Sequence, residues 1–389
     1  MAFRKKHLKS VTPHWRGLFE QPHRKSFFRS LDGVILGVTI VLALGGLIAV
    51  FSASGYTATE RYDSPMTLFV LRQFLWLIMG VFLLLFLARL DYAAIRPYIP
   101  RILVGCMVLL AMVLLIGAES HGARRWLALP WFSVQPGELS KLVIVLYLAS
   151  YLAKPDTRIT TWQDGLFQPL LVVGVLCMLL VFEDFGTPVV LGTVLVCMLF
   201  LAGARMLHLS GIVCAVIPPA AWLVMSSPER WERLTSFLHP EVDPMGAGHQ
   251  LRQSFLAFNN GGVFGQGLGA GGQKLGYLPE AHTDFVLSLI GEELGFIGTI
   301  GFLGLFVVLI LKGFRVAAQA PDMFGRYLAL GITLLIGVQV LMNAGVVSGL
   351  LPTKGLTLPL VSYGGSSLVT SLMAIGLLLS VARQREGRV

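Results

Sequence analysis

Long apolar runs, separated mostly by short polar connections, set the pattern of this chain. Ten can be read, at residues 33–53, 67–88, 101–117, 139–153, 167–182, 187–203, 210–225, 286–311, 324–347 and 365–382. Runs such as 33–53 and 324–347 are long enough to cross a hydrocarbon core of ~30 Å at ~1.5 Å per helical residue. Within hydrocarbon every backbone polar group needs an internal partner, which a helix supplies. The pattern predicts an all-α polytopic membrane protein of about ten transmembrane helices. A single transmembrane domain, 31–383, would lie between a basic tail, 1–30, and a short tail, 384–389. Three connections are longer than the rest: 54–66, 119–138 and 226–285. The last joins the seventh and eighth runs and carries Trp231, Phe237, Phe255 and Phe258 among glycines and charges. Loops of that length are functional or disordered, and the aromatic content predicts that part of this one folds back onto the bundle.

Composition agrees with the pattern. The chain is 55% hydrophobic and 13% charged, with a mean hydropathy of +0.75, too little charge to cover a soluble domain. Its net charge of +9 would suit a nucleic-acid partner, but the placement of the charges argues otherwise. With the N-terminus inside, 20 Lys and Arg fall on the cytoplasmic side and 10 on the other. The positive-inside rule therefore predicts both termini in the cytoplasm and the 226–285 loop outside, with no nucleic acid involved. Acidic residues run the other way, 7 inside and 14 outside, which matters for chemistry more than for topology. The 1–30 tail holds eight Lys and Arg against one Glu and lacks an apolar h-region, so it reads as a cytoplasmic segment that touches anionic lipid, not a signal peptide. Cys106, Cys177, Cys197 and Cys214 all fall within apolar runs and read as small buried hydrophobes.

Familiar cofactor motifs are missing. Gly265-Gln266-Gly267-Leu268-Gly269 follows no βαβ pattern and is spaced G-x-G-x-G, so its glycines are expected to allow tight turns beside lipid or protein. The sequence holds no H-E-x-x-H, C-x-x-C or Walker motif. Nor does it show a repeat that would suggest an inverted-repeat transporter.

Four polar clusters fall on the outer side. The first is Leu278–Phe285, which contains Glu280, His282 and Asp284 and runs on into Gly291-Glu292-Glu293-Leu294-Gly295. A carboxylate near a helix start is favoured as an anion, so Asp284 reads either as a capping acid or as an available base. Glu292 and Glu293 lie two turns deeper, where charge is paired or faces a polar cavity, and at least one is expected to bond to a neighbouring helix. The second cluster holds Arg124, Arg125 and Trp126, then Gln135-Pro136-Gly137-Glu138-Leu139-Ser140-Lys141. Glu138 and Lys141 share a helix face and are either an ion pair that pins the helix end or a phosphate-binding cation with its orienting carboxylate. Arg72 and Lys274 add cations suited to phosphate. The third, Glu183-Asp184-Phe185-Gly186-Thr187, reads as a tight outward turn with two solvated carboxylates. The fourth, Leu350–Ser367, is broken by Gly and Pro, so its backbone must face a cavity or protein. Carboxylates, cations and a cavity in lipid fit a substrate with a lipid tail and an anionic head.

Taken together these residues resemble the SEDS family (shape, elongation, division and sporulation), which includes FtsW, RodA and SpoVE. The P-E-x-H-T-D-F run into G-E-E-L-G, the D-F-G-T turn and the closing P-L-x-S-Y-G-G-S-S carry the resemblance, which spans about Leu31 to Arg383. Ala281, the preceding Gln273-Lys274-Leu275 and the basic N-terminal extension look more like the FtsW branch than the RodA branch. The chain departs from the family's common Q-P-S-E at Gly137, and from P-D-F-G-T-A at Glu183 and Pro188.

The resemblance implies peptidoglycan glycosyltransfer, in which lipid II is polymerised into glycan strands and undecaprenyl diphosphate is released. It implies Asp284 as catalytic base, with Arg72, Glu138, Lys141, Lys274 and Trp126 around the substrate and its diphosphate. A divalent cation (Mg2+ or Mn2+) is the candidate cofactor, with Glu138 or Asp284 as its candidate ligand. Implied partners are a class B penicillin-binding protein (the FtsI-like division transpeptidase), other divisome proteins and membrane lipid. The implied location is the septum of a bacterial cytoplasmic membrane. Other readings of the same residues are an elongation polymerase like RodA, a lipid II flippase and a structural divisome scaffold.

Overall fold

The computed structural model describes residues 31–62, 67–120, 123–128, 133–238, 247–273, 282–353 and 355–386. The 1–30 tail, Lys274, Glu280 and Lys354 lie outside these residues. The chain enters through α1 (Gly33–Tyr62) and α2 (Thr67–Arg89), then a short α3 (Tyr92–Ile95) that leads into α4 (Ile99–Ile116). It continues through α5 (Pro136–Leu152), α6 (Phe167–Val181), α7 (Gly186–Leu201) and α8 (Met206–Met225). Then follow α9 (Pro228–Leu238), α10 (Ala247–Gly261), α11 (Val286–Ala318), α12 (Met323–Val347) and α13 (Gly365–Glu386). Each apolar run read from the sequence falls on a helix. Among the described residues eight helical stretches are long and apolar enough to cross a membrane, while α5 and α7 are shorter at 17 and 16 residues. The chain is a multi-pass membrane protein.

The short helices are the interior ones. Almost every side chain of α5 is buried, and α5 packs against α4, α12 and α13. Of the most apolar window of α13, 89% is buried, against 11% for α8. The closeness of α13 to α2 depends on small residues, since a Cβ at Gly376 would lie 2.6 Å from the carbonyl oxygen of Leu84. By contrast α8 carries Pro218 and Pro219 inside the helix and turns most of its surface outward. That outward face corrects one expectation: Cys214 on α8 is exposed, and only Cys106 is fully buried.

One small sheet interrupts the helical chain. β1 (Ala118–Ser120), β2 (Ala123–Ala128) and β3 (Ser133–Val134) pair antiparallel in that order, with Glu119 opposite Arg124 and Leu127 opposite Val134. The long 226–285 connection does fold back. It supplies α9 and α10, and α10 packs on α11.

The contact of α10 with α11 explains the glycine run. At Gly295, with φ 69° and ψ −169°, α11 leaves helical geometry and frees backbone groups deep in the fold. The chain after α10 takes up those groups. Gln266 and Gly267 donate to the carbonyls of Glu292 and Glu293, both at 3.0 Å, while Phe296 and Ile297 donate to Gly262 and Val263 at 2.9 and 3.2 Å. Gly265 has φ 82°, and a Cβ there would overlap the Glu293 carbonyl. A broken helix at membrane depth is thus closed by protein rather than lipid. Both adjacent acids are held as well: Glu293 accepts from Ser52 of α1, and Glu292 accepts the Gly272 N–H at 3.0 Å.

Candidate active site

Asp284 stands two residues before α11 and is half-buried. Its place is set by Asn343 of α12, whose Nδ2 donates to the Asp284 carbonyl at 2.9 Å and to the Leu356 carbonyl at 2.7 Å. One amide therefore ties the 282–285 turn to the closing 350–364 segment. A second tie is the Tyr363 N–H on the His282 carbonyl at 2.9 Å, with the two rings 5.5 Å apart. The carboxylate faces that segment closely, since a Cβ on Gly355 would lie 3.3 Å from Asp284 Oδ2.

Gly355 in turn lines a cavity of about 690 Å³, bounded by the α6–α7 turn, α8, α9, Pro352, Thr353 and Gly355 itself. A volume of that order suits a small-molecule head group. Its wall on α8 is apolar, from Ile217 to Val224, whereas Arg125, Arg230 and Arg233 share the rest with Glu183, Asp184 and the aromatic Phe182, Phe185 and Trp231. Alternation along β2 separates the roles of two adjacent arginines. Arg124 donates to the Leu115 carbonyl at 3.0 Å and finishes α4, while Arg125 donates through Nε to the Glu183 carbonyl. Arg230 donates to the Val181 carbonyl at 2.9 Å, with its guanidinium 5.5 Å from the centre of the Phe185 ring.

The two acids of the α6–α7 turn differ from the expected solvated pair. Asp184 caps α7, accepting Gly186 N–H at 2.8 Å and Thr187 N–H at 3.0 Å. Glu183 is buried beneath Arg125, and its side-chain oxygens have no hydrogen-bond partner among the described residues. The reason is tertiary, because the turn tucks under β2 and against the start of α5. Burial pushes the Glu183 carboxyl up to about 8, with the Asp184 charge adding to the rise and Arg125 opposing it. Near neutral pH this acid is mostly uncharged, so the arginines of the cavity are left with positive charge in excess.

Glu138 and Lys141 do meet. Lys141 Nζ lies 2.7 Å from Glu138 Oε1, and both residues are buried at the start of α5. That turn is anchored to the closing segment by Gln135 N–H on Ser366 Oγ at 3.0 Å. Trp126 is half-buried on β2. Arg72 is exposed on α2 beside the buried Gln73, which itself bridges Ser362 and Gly364 at 3.4 Å each. Asn343, Arg230 and Arg233 were not foreseen as site residues. Only the spacing of the two arginines, three apart on an amphipathic stretch, offered a signal.

Among the described residues no group of three or more His, Cys, Asp or Glu could hold a metal, and Glu138 is engaged by Lys141. No step below runs through one.

The sequence model of the FtsW/RodA/SpoVE cell cycle proteins matches residues 33–387. The chain belongs to the FtsW/RodA/SpoVE family. Within it the likeness is to FtsW. The probable peptidoglycan glycosyltransferase FtsW of Geobacter metallireducens is 44% identical over 360 residues, covering 92% of this chain and 96% of that one. The stage V sporulation protein E of Bacillus subtilis is 40% identical over 357 residues, 91% of this chain and 97% of that one. Among solved structures, a chain from a peptidoglycan synthase complex, described for its structural coordination of polymerization and crosslinking, superposes with a TM-score of 0.75. The two are 30% identical, over 91% of this chain and 98% of that one. The rod shape determining protein RodA of Thermus thermophilus superposes with a TM-score of 0.68 at 28% identity, over 91% and 97% of the chains.

Proposed function

We propose that this FtsW-like protein is a peptidoglycan glycosyltransferase that polymerises lipid II for cell division, with Asp284 as its general base. The observation that carries the site assignment is the place of Asp284, whose carboxylate adjoins Gly355, a residue lining a cavity that has arginines on one side and an apolar wall on another. A sugar hydroxyl is a poor nucleophile. Asp284 takes its proton as the oxygen forms a bond to the donor's anomeric carbon, on the face opposite the diphosphate. The bond from that carbon to the diphosphate oxygen breaks, and its electron pair leaves with undecaprenyl diphosphate. That leaving group needs its charge spread rather than a proton, which Arg125, Arg230 and Arg233 are placed to do. The apolar wall on α8 suits the first part of an isoprenoid tail. Glu138 orients Lys141 at the buried start of α5. Arg72, Trp126 and Lys274 complete the proposed substrate contacts.

The excess of Lys and Arg on one side supports termini in the cytoplasm and the cavity on the outer face of a bacterial cytoplasmic membrane. Likeness to a chain of a peptidoglycan synthase complex supports a partner, which we assign as the class B penicillin-binding protein of the division septum. The test is reconstitution in vesicles with that partner and labelled lipid II. Glycan strands should accumulate. Movement of lipid II between leaflets with no glycan product would instead support a transporter.

A further inference from the structure

Glu183 takes no part in the chemistry above, yet its surroundings are unusual. It is 2% exposed, and neither carboxylate oxygen has a hydrogen-bond partner among the described residues. Behind it is the first turn of α5. A Cβ built on Gly137 would lie 3.5 Å from Glu183 Oε2 and 3.3 Å from Leu180 Cδ2, so the carboxyl group borders the space that a side chain at 137 would enter. This helix end has no side-chain cap from Gln135, and Pro136 has no N–H to offer. In front, the carbonyl of Glu183 holds Arg125, and the residue lines the same cavity as Arg230 and Arg233. Gly137 and Glu183 stand on separate elements, and in the fold they adjoin.

We propose that Gly137 and Glu183 form a coupled pair that sets the charge of the cavity wall. The uncharged carboxyl lies against Gly137 and leaves Arg125 to the substrate's diphosphate, whereas its anion draws Arg125 back into the wall. Glu183 is a positioning residue in this scheme, acting through Arg125, and the scheme rests on the polymerase reading. The groups facing it are few. Arg125 comes from β2, Asp184 from its own turn, Cys106 from α4, the mutually paired Glu138 and Lys141 from α5, and Arg230 and Arg233 from α9. Asp184 is spent on capping α7. The rise of the Glu183 carboxyl to about 8 places the change of charge in an accessible range.

The experiment measures KM for lipid II in the complex with the transpeptidase, from about pH 6.5 to about pH 9.5, for the native chain, Glu183→Gln and Gly137→Ala. If only the uncharged form binds well, native KM rises about tenfold between about pH 7 and about pH 9. Glu183→Gln should stay level across that range. Gly137→Ala crowds the carboxyl without removing it, and should move the native rise by about half a pH unit or more. Superimposed profiles for the native chain and Glu183→Gln would overturn the proposal. If the Gln variant does not fold, an unmoved profile in Gly137→Ala overturns it equally. Absence of glycan product from the native complex at every pH would reject the polymerase reading itself, and this proposal with it.

Discussion

Two carboxylates, Glu183 lining the cavity and Asp284 next to its Gly355 edge, carry different chemistry because they have different neighbours. Asp284 is half-buried, its backbone fixed by Asn343 and its carboxylate beside Gly355. Glu183 is enclosed by apolar and uncapped groups, so ionisation is costly. The difference has a consequence for stability. The folded chain holds the Glu183 proton up to about 8, whereas the unfolded chain releases it near the ordinary 4.5. Between those values the native state binds more protons, so stability should fall as pH rises through that window and level off above it. Glu183→Gln should remove this slope, as read by thermal unfolding at several pH values in detergent. The Glu138–Lys141 pair makes the opposite case. Glu138→Ala would strand a buried ammonium group and should cost about 3–5 kcal/mol of stability, visible as a large fall in melting temperature. Arg125→Ala should instead leave melting nearly intact and weaken lipid II binding by about tenfold, since a charge-assisted contact contributes ~1.5–3 kcal/mol.

The helices themselves were legible because a run of apolar residues long enough for the membrane leaves the backbone little choice. All ten runs proved helical, including those that form the short, interior α5 and α7. The break in α11 was not legible. Gly291-Glu292-Glu293-Leu294-Gly295 is compatible with helix, and only the hydrogen bonds from residues 262–267 show that the helix stops there. The glycines of that loop had been read as turn-formers, and their purpose follows from the break they close. Gly265→Val should therefore act on the membrane domain rather than on a surface loop. With φ 82° and no room beside the Glu293 carbonyl, it should cost more than the ~1–3 kcal/mol typical of a strained backbone. Thermal unfolding would show it, and loss of the folded protein is the extreme outcome. The cavity was equally hidden. Its walls come from β2, the α6–α7 turn, α8, α9 and the stretch that holds Pro352 and Gly355, and Glu183 is buried beside Gly137, far away in sequence.

At the scale of the whole molecule, charge asymmetry and the closing segment point the chemistry outward. Cysteines introduced singly into a chain lacking the native four test this directly. One in the 1–30 tail should be labelled only from the cytoplasmic side, and one replacing Glu232 on α9 only from the outer side. The fold-wide likeness to a chain of a peptidoglycan synthase complex fits an enzyme assayed in company rather than alone. In that setting the central claim reduces to one comparison, the rate of lipid II polymerisation by the native complex and by the complex carrying Asp284→Asn. The substitution keeps the shape and the backbone bond to Asn343 while removing the base. It should lower the rate by ~100-fold or more, the usual contribution of a positioned general base, with complex assembly and melting temperature unchanged. An Asp284→Asn complex that polymerises within about threefold of the native rate would contradict the assignment of Asp284 as the base.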